Sequence, residues 1–171
     1  GASGAGVREA PVDPRHEGAL GDIVDTGMRT NGFPRLLWVT EIDEAALPDT
    51  AIGLAAGRRD AGGRLVTDVV SNEFEGSDRA PGFHALQAPT TVGSEKVPAF
   101  GYYVGDAARI TVTAGGRKVT ARQVVWSEDP SVVLFWFSLD QVGSADHLGR
   151  AGAYGANGRS LPAGNAEFGV G

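Results

Sequence analysis

The sequence predicts an all-β fold, a single antiparallel β-sandwich of the immunoglobulin-like kind with long loops and short helical turns. Three observations predict it. Apolar and β-branched residues come in strand-sized runs bounded by Gly, Pro, Asn and Asp. Gly (26) and Pro (9) fill 35 of the 171 positions, enough for many turns yet below the low-complexity range. No helical period persists over the roughly 10–12 residues that a helix assignment requires. A chain of this length predicts one domain and buries roughly 70% of the surface it exposes when unfolded.

The elements follow in order. Residues 1–34 carry Gly, Pro, Asp and Arg without period and read as an extended N-terminal arm, with a short strand around Gly21–Thr26. The sandwich domain is expected over residues 35–171. Arg35–Ile42 ("RLLWVTEI") is a strand rich in β-branched and aromatic residues. Thr50–Gly57 and Leu65–Asn72 flank the turn residues "RRDAGGR" and read as a hairpin. Residues 73–98 form a polar connection with a short strand near Phe83–Leu86, and a connection of that length is often functional. "AFGYYVG" is the next strand. In "ARITVTAGGRKVTARQVVW", Arg109, Thr111 and Thr113 alternate with Ile110, Val112 and Ala114. Gly115-Gly116 can take the positive φ angles of a two-residue primed turn. The return strand runs Arg117–Trp126, and its blurred alternation near Gln123–Trp126 points to a bulge or to burial on both faces. "SEDP" turns the chain into Val132–Leu139, and "AGAYGANGRSL" holds a last turn at Asn157-Gly158. Single helical turns are expected at Glu41–Leu47, ahead of Pro48, and at Ser144–Leu148, with Ser144 as N-cap.

The strand in "SEDPSVVLFWFSLD" has two apolar faces. Val132, Leu134 and Trp136 share one, and Val133, Phe135, Phe137 and Leu139 share the other. Two apolar faces fit a central strand, with one face in the main core and the other under a loop or the N-terminal arm. The run is far shorter than the roughly 20 residues that span a bilayer, so no membrane insertion of this region is expected.

Composition narrows the function. The net charge is −6, which repels phosphate backbones and anionic lipid, and no basic stripe with interleaved aromatics is present. Nucleic acid is not an expected partner. The chain has no cysteine, which removes disulfides, thiolate metal sites and a cysteine nucleophile. It opens "GASGAGVREAPVDPRHEG" without an initiator Met or an apolar signal core, so a signal or membrane anchor is expected before Gly1.

Chemistry-bearing patterns are few. No G-x-S-x-G elbow, S-x-x-K or H-E-x-x-H occurs, and His16, His84 and His147 lie far apart. The glycine-rich "GASGAG" and "GAYGANG" lack the strand–loop–helix setting and the Lys of a phosphate loop, and no cofactor is expected. The acidic stretch "DVVSNEFEGSDRAPGFH" supplies Glu73, Glu75, Asp78 and His84 as candidate ligands for a hard cation such as calcium, against the plainer reading of a solvated loop. For ligand binding the aromatics are the candidates: Trp38, Tyr102, Tyr103 and Trp126 above all, beside Trp136 and Tyr154. Adjacent Tyr102 and Tyr103 must point to opposite faces of a strand, so one is expected in the core and the other exposed.

The stretch "GYYVGDAARITVTAGGRKVTARQVVWSEDPSVVLFWFSL", with the later "AYGANGRSL", resembles extracytoplasmic domains of unknown function from actinobacteria such as streptomycetes. There a hairpin with "GR-V-A" precedes an apolar strand and an "A-Y-D-x-x-G-R-x-L" ending; this chain departs at Gly155, where an acid usually stands. The resemblance covers residues 100–162. It implies a secreted or membrane-anchored β-sandwich of the cell envelope and carries no catalytic residues with it. The first expectation is therefore a non-enzymatic sensing or interaction module with a protein or cell-envelope glycan as partner. A carbohydrate-binding module and a hydrolase with its site at residues 73–84 are the alternatives.

Overall fold

The computed structural model describes residues 18–73 and 76–169. Among the described residues, thirteen strands form antiparallel sheets. β1 (Ala19–Thr30), β2 (Phe33–Glu41), β3 (Ile52–Arg59) and β4 (Leu65–Asn72) make a four-stranded meander. The Asn31-Gly32 turn, with both residues at positive φ, joins β1 to β2. The strand anticipated at Gly21–Thr26 thus extends over twelve residues. Two register shifts interrupt β1, which lies at the sheet edge, and such irregularities discourage edge-to-edge pairing. The predicted β3–β4 hairpin is present. Asp60 closes it by accepting the N–H groups of Gly62 and Arg64 on its carboxylate, both at 2.9 Å.

The central sheet has the order β11 (Arg122–Trp126), β12 (Asp129–Trp136), β8 (Phe100–Val104), β5 (Gly82–Gln87). The third sheet has the order β10 (Arg117–Thr120), β9 (Arg109–Ala114), β13 (Leu148–Tyr154). A small hairpin, β6 (Thr90–Val92) with β7 (Glu95–Val97), occupies part of the segment expected to be loop. Gly115 (φ 56°) and Gly116 (φ 79°) form the predicted primed turn between β9 and β10. The return strand splits at Ala121. Arg117–Thr120 pairs with β9 in the third sheet, whereas Arg122–Trp126 pairs with β12 in the central one. The blurred alternation at Gln123–Trp126 therefore marks a strand that changes sheets, with a register shift between Val125 and Trp126.

The antiparallel sandwich is doubled, because the central sheet is buried on both faces. Val132, Leu134 and Trp136 of β12 join Tyr102, Leu37, Val39 and Leu54 in a first core against the meander. Val133, Phe135 and Phe137 join Phe83, Tyr103, Ile110 and Val112 in a second core against the third sheet. In that second core Phe83 packs edge-on to Tyr103 (4.8 Å, 72°) and to Phe135 (5.6 Å, 80°). Both faces of β12 are covered by sheets; the N-terminal residues expected over one face supply β1, whose Val24 lies in the first core.

The two expected helical turns are reverse turns, and the described residues contain no helix. Leu47 N–H donates to the Glu44 carbonyl at 2.9 Å, and Asp146 N–H donates to the Ser144 hydroxyl at 3.2 Å. Each segment is too short to repeat such a turn before the next strand or proline stops it. No helix among the described residues is long and apolar enough to cross a membrane.

A buried polar cluster clamps the small hairpin to the meander. Arg35, fully buried, donates to Asp68 Oδ2 at 2.7 Å, to the Gly57 carbonyl at 3.1 Å and to the Lys96 carbonyl at 3.3 Å. Glu95 lies 3.6 Å from both Arg35 and Arg58. This arrangement bridges β2, β4 and β7, and it draws the 90–97 hairpin over the edge of the first core.

Candidate functional site

The four aromatic candidates are interior. Trp38 (2% exposed), Tyr102 (0%), Tyr103 (1%) and Trp126 (5%) offer no platform to a ligand. Tyr102 and Tyr103 do point to opposite faces of β8, but both faces are covered, so neither is exposed. Tyr102 donates its hydroxyl to the Asp78 carbonyl at 2.8 Å, and Tyr103 donates to the Pro162 carbonyl at 2.7 Å. Burial holds both phenols above their ordinary range; for Tyr102 the nearby negative charges of Asp78 and Glu73 add to it. Trp126 donates its indole N–H to the Leu20 carbonyl at 2.9 Å, and Arg79 stacks over its ring. The polar tips of Tyr102, Tyr103 and Trp126 are thereby satisfied inside the fold.

Three of the four acidic-loop candidates converge; Glu75 lies outside the described residues. The convergence begins with a bulge in β5. Ala85 takes a left-handed conformation (φ 57°) and the register with β8 shifts between His84 and Gln87. Ala85 joins the first core on the side of Tyr102, while His84 stacks on the Tyr102 ring (5.1 Å, 19°). His84 Nδ1 then meets Glu73 Oε1 at 2.5 Å, and Nε2 meets the Ala80 carbonyl at 2.6 Å. Asp78 Oδ2 accepts the N–H groups of Ala51 (2.6 Å) and Ile52 (2.9 Å) at the start of β3.

Both ring nitrogens of His84 point at oxygen acceptors, which suits the doubly protonated imidazolium. Burial by itself lowers the His84 pKa. The hydrogen bonds to Glu73 and the Ala80 carbonyl and the charges of Glu73 and Asp78 outweigh it, and the net direction is up. An imidazolium engaged at both nitrogens has no lone pair for a metal or for a nucleophile's proton. Among the described residues, which leave out Glu75, no group of three His, Cys, Asp or Glu is placed to hold a metal ion, and Glu73, His84 and the Ala80 carbonyl form a clasp that closes the loop. An open cleft of about 510 Å³ runs along this clasp, lined by Glu73, Ser77, Pro81, His84 and Asn165.

A second arrangement lies on the outer face of the third sheet. Alternation turns Ile110, Val112 and Val119 inward to the second core and leaves Arg109, Thr113, Lys118 and Thr120 outside. Tyr154 is the cross-strand partner of Arg109. The Arg109 guanidinium stands 4.8 Å from the Tyr154 ring centroid, and the Lys118 ammonium stands 5.6 Å from it. A cleft of about 330 Å³ opens beside them, lined by Arg109, Thr120, Tyr154 and the Gly155–Gly158 turn. Comparison with family models, with curated proteins and with solved structures finds no match. Geometry alone carries the functional reading. Of the aromatics named from sequence, Tyr154 is the one whose ring meets two exposed cations, and the signal for it was the polar half of the alternation in β9 and β10.

Proposed function

We propose that the chain is a non-catalytic interaction or sensing module that works outside the cytoplasm, in the cell envelope, and docks through the outer face of its third sheet. One observation carries this reading. The outer face holds Arg109, Lys118 and Arg150, and strands β9, β10 and β13 contain not a single Asp or Glu, in a chain whose net charge is −6. A cationic face on an acidic body attracts an anionic partner and repels further copies of itself. The closed state of the His84 clasp supports binding over hydrolysis, because its acid–base groups are spent on the protein's own backbone and on each other.

Co-sedimentation with washed envelopes of a streptomycete tests the reading. The wild-type protein and His84→Gln are expected in the pellet, and Arg109→Glu/Lys118→Glu in the supernatant. Wild-type protein that stays in the supernatant overturns the docking function. Soluble fragments released from the envelopes by wild type but not by His84→Gln overturn its non-catalytic character.

A further inference from the structure

We infer that Tyr154, Arg109 and Lys118 form a binding site for an acidic polysaccharide, with the two cations meeting a sugar carboxylate beside the cleft of about 330 Å³. The inference rests on the docking face proposed above and adds its ligand. Its starting point is Gly152. The Tyr154 side chain folds back across this residue, where an added Cβ would stand 3.1 Å from the tyrosine hydroxyl. The ring lies over the sheet and draws in one cation from β9, beside it, and one from β10, the strand beyond.

Two like charges gathered at one ring repel each other. Among the described residues neither Arg109 nor Lys118 forms an ion pair with a carboxylate; the nearest pairing on this sheet is the loose contact of Arg150 with Glu167 at 3.9 Å. A ligand oxyanion supplies the missing countercharge, and a guanidinium matches a carboxylate through two parallel hydrogen bonds. The other groups of the face narrow the ligand further. The exposed Thr120 stands between the cations and the exposed Thr113 pairs across from Lys118, where their hydroxyls suit a hydroxyl-rich chain. Arg150 and, from the rim of the inner side, Arg117 add positive charge beyond the cleft, toward the Ala114 end of β9. A single small anion would leave them unused, whereas a chain that repeats its carboxylate meets them in turn. The glycine-rich "GAYGANG" turn forms one wall of the cleft, which is a role in shape and not in phosphate capture.

Titration calorimetry with polygalacturonate at low and at physiological salt tests the site, with dextran and polyphosphate of matched charge as comparators. Wild-type protein is expected to bind polygalacturonate, more weakly as salt rises, and to ignore dextran. Arg109→Gln should weaken binding about tenfold, the size of one charge-assisted hydrogen bond. Tyr154→Phe, which keeps the ring, should bind as wild type, while Tyr154→Leu, which frees the two cations, should bind more weakly. Each of these side chains is at the surface, so an unchanged melting temperature serves as the folding control. Equal binding of polyphosphate, or undiminished binding by Arg109→Gln/Lys118→Gln, overturns the polysaccharide site. Wild-type protein that fails to bind polygalacturonate yet still pellets with envelopes through the same face loses this ligand but keeps the docking function; failure in both assays removes both.

Discussion

At His84 one imidazole ties Glu73, at the end of β4, to Ala80, just before β5. The folded state raises the His84 pKa above its unfolded value of about 6.5, so it favours the imidazolium. The stabilisation is therefore complete below about pH 6.5 and is lost as pH rises through the raised folded value. Hydrogen bonds to charged groups contribute about 1.5–3 kcal/mol. His84→Gln should lose about that much at pH 6 and progressively less in more alkaline solution, read from urea midpoints of both proteins across pH 6–9. A wild-type advantage that stays constant over that range would remove the imidazolium from the account. The sequence placed Glu73, Asp78 and His84 in one acidic loop, and that much was legible. It could not show that the Asp78 carboxylate faces backbone N–H groups of Ala51 and Ile52, because that contact depends on how two segments far apart in the chain pack.

At the scale of the element, β12 is the strand on which both cores depend. Trp136 fills the first core and Phe135 the second, and both are buried. Trp136→Ala and Phe135→Ala should each cost about 3–5 kcal/mol, as large truncations in cores do. Denaturant unfolding of the two variants checks this, and a midpoint left unchanged by either would mean that its face of β12 is not core. The two apolar faces of β12 were legible from period-two alternation. The pairing of β12 with β8 was not legible: a strand paired with a central strand is itself covered, and Tyr102 and Tyr103 of β8 pair with Leu134 and Val133. Reading one of those tyrosines as exposed treated β8 as a surface strand. The third sheet was hidden for a related reason. Arg117–Trp126 is continuous in sequence, and only the pairing shows that it leaves one sheet for another at Ala121. Of β1 only the stretch Gly21–Thr26 was expected, because the glycines and prolines of residues 1–34 break the period around it.

At the scale of the whole molecule, a stack of open sheets must protect its edges. The exposed edge of the central sheet would be β5, and the C-terminal segment closes it. Gly164 and Gly169 bridge to Phe83 and Gln87 in parallel register. Phe83 N–H donates to the Ala163 carbonyl (2.9 Å), Asn165 N–H to the Phe83 carbonyl (3.1 Å), Ala88 N–H to the Gly169 carbonyl (2.9 Å) and Gly169 N–H to the Leu86 carbonyl (2.8 Å). The same segment reaches the third sheet, where Ala151 N–H donates to the Ala166 carbonyl at 3.1 Å. It therefore fastens two of the three layers together while it covers an edge. Its approach is close: a Cβ on Gly164, whose φ is 56°, would stand 2.9 Å from Gly82 Cα. At about 1 kcal/mol net for each hydrogen bond, and with Ala166 and Phe168 removed from the second core, deletion of residues 162–171 should cost about 5 kcal/mol. For a chain of this size that lowers the melting temperature by roughly 10–20 °C. The bared β5 should also make the shortened chain associate, seen as larger species on size exclusion at rising concentration. Gly164→Val, which strains the backbone and collides with Gly82, should move both readings the same way with every residue still present. A truncated chain that melts like wild type and stays monomeric would mean that the segment decorates the sheet and does not seal it.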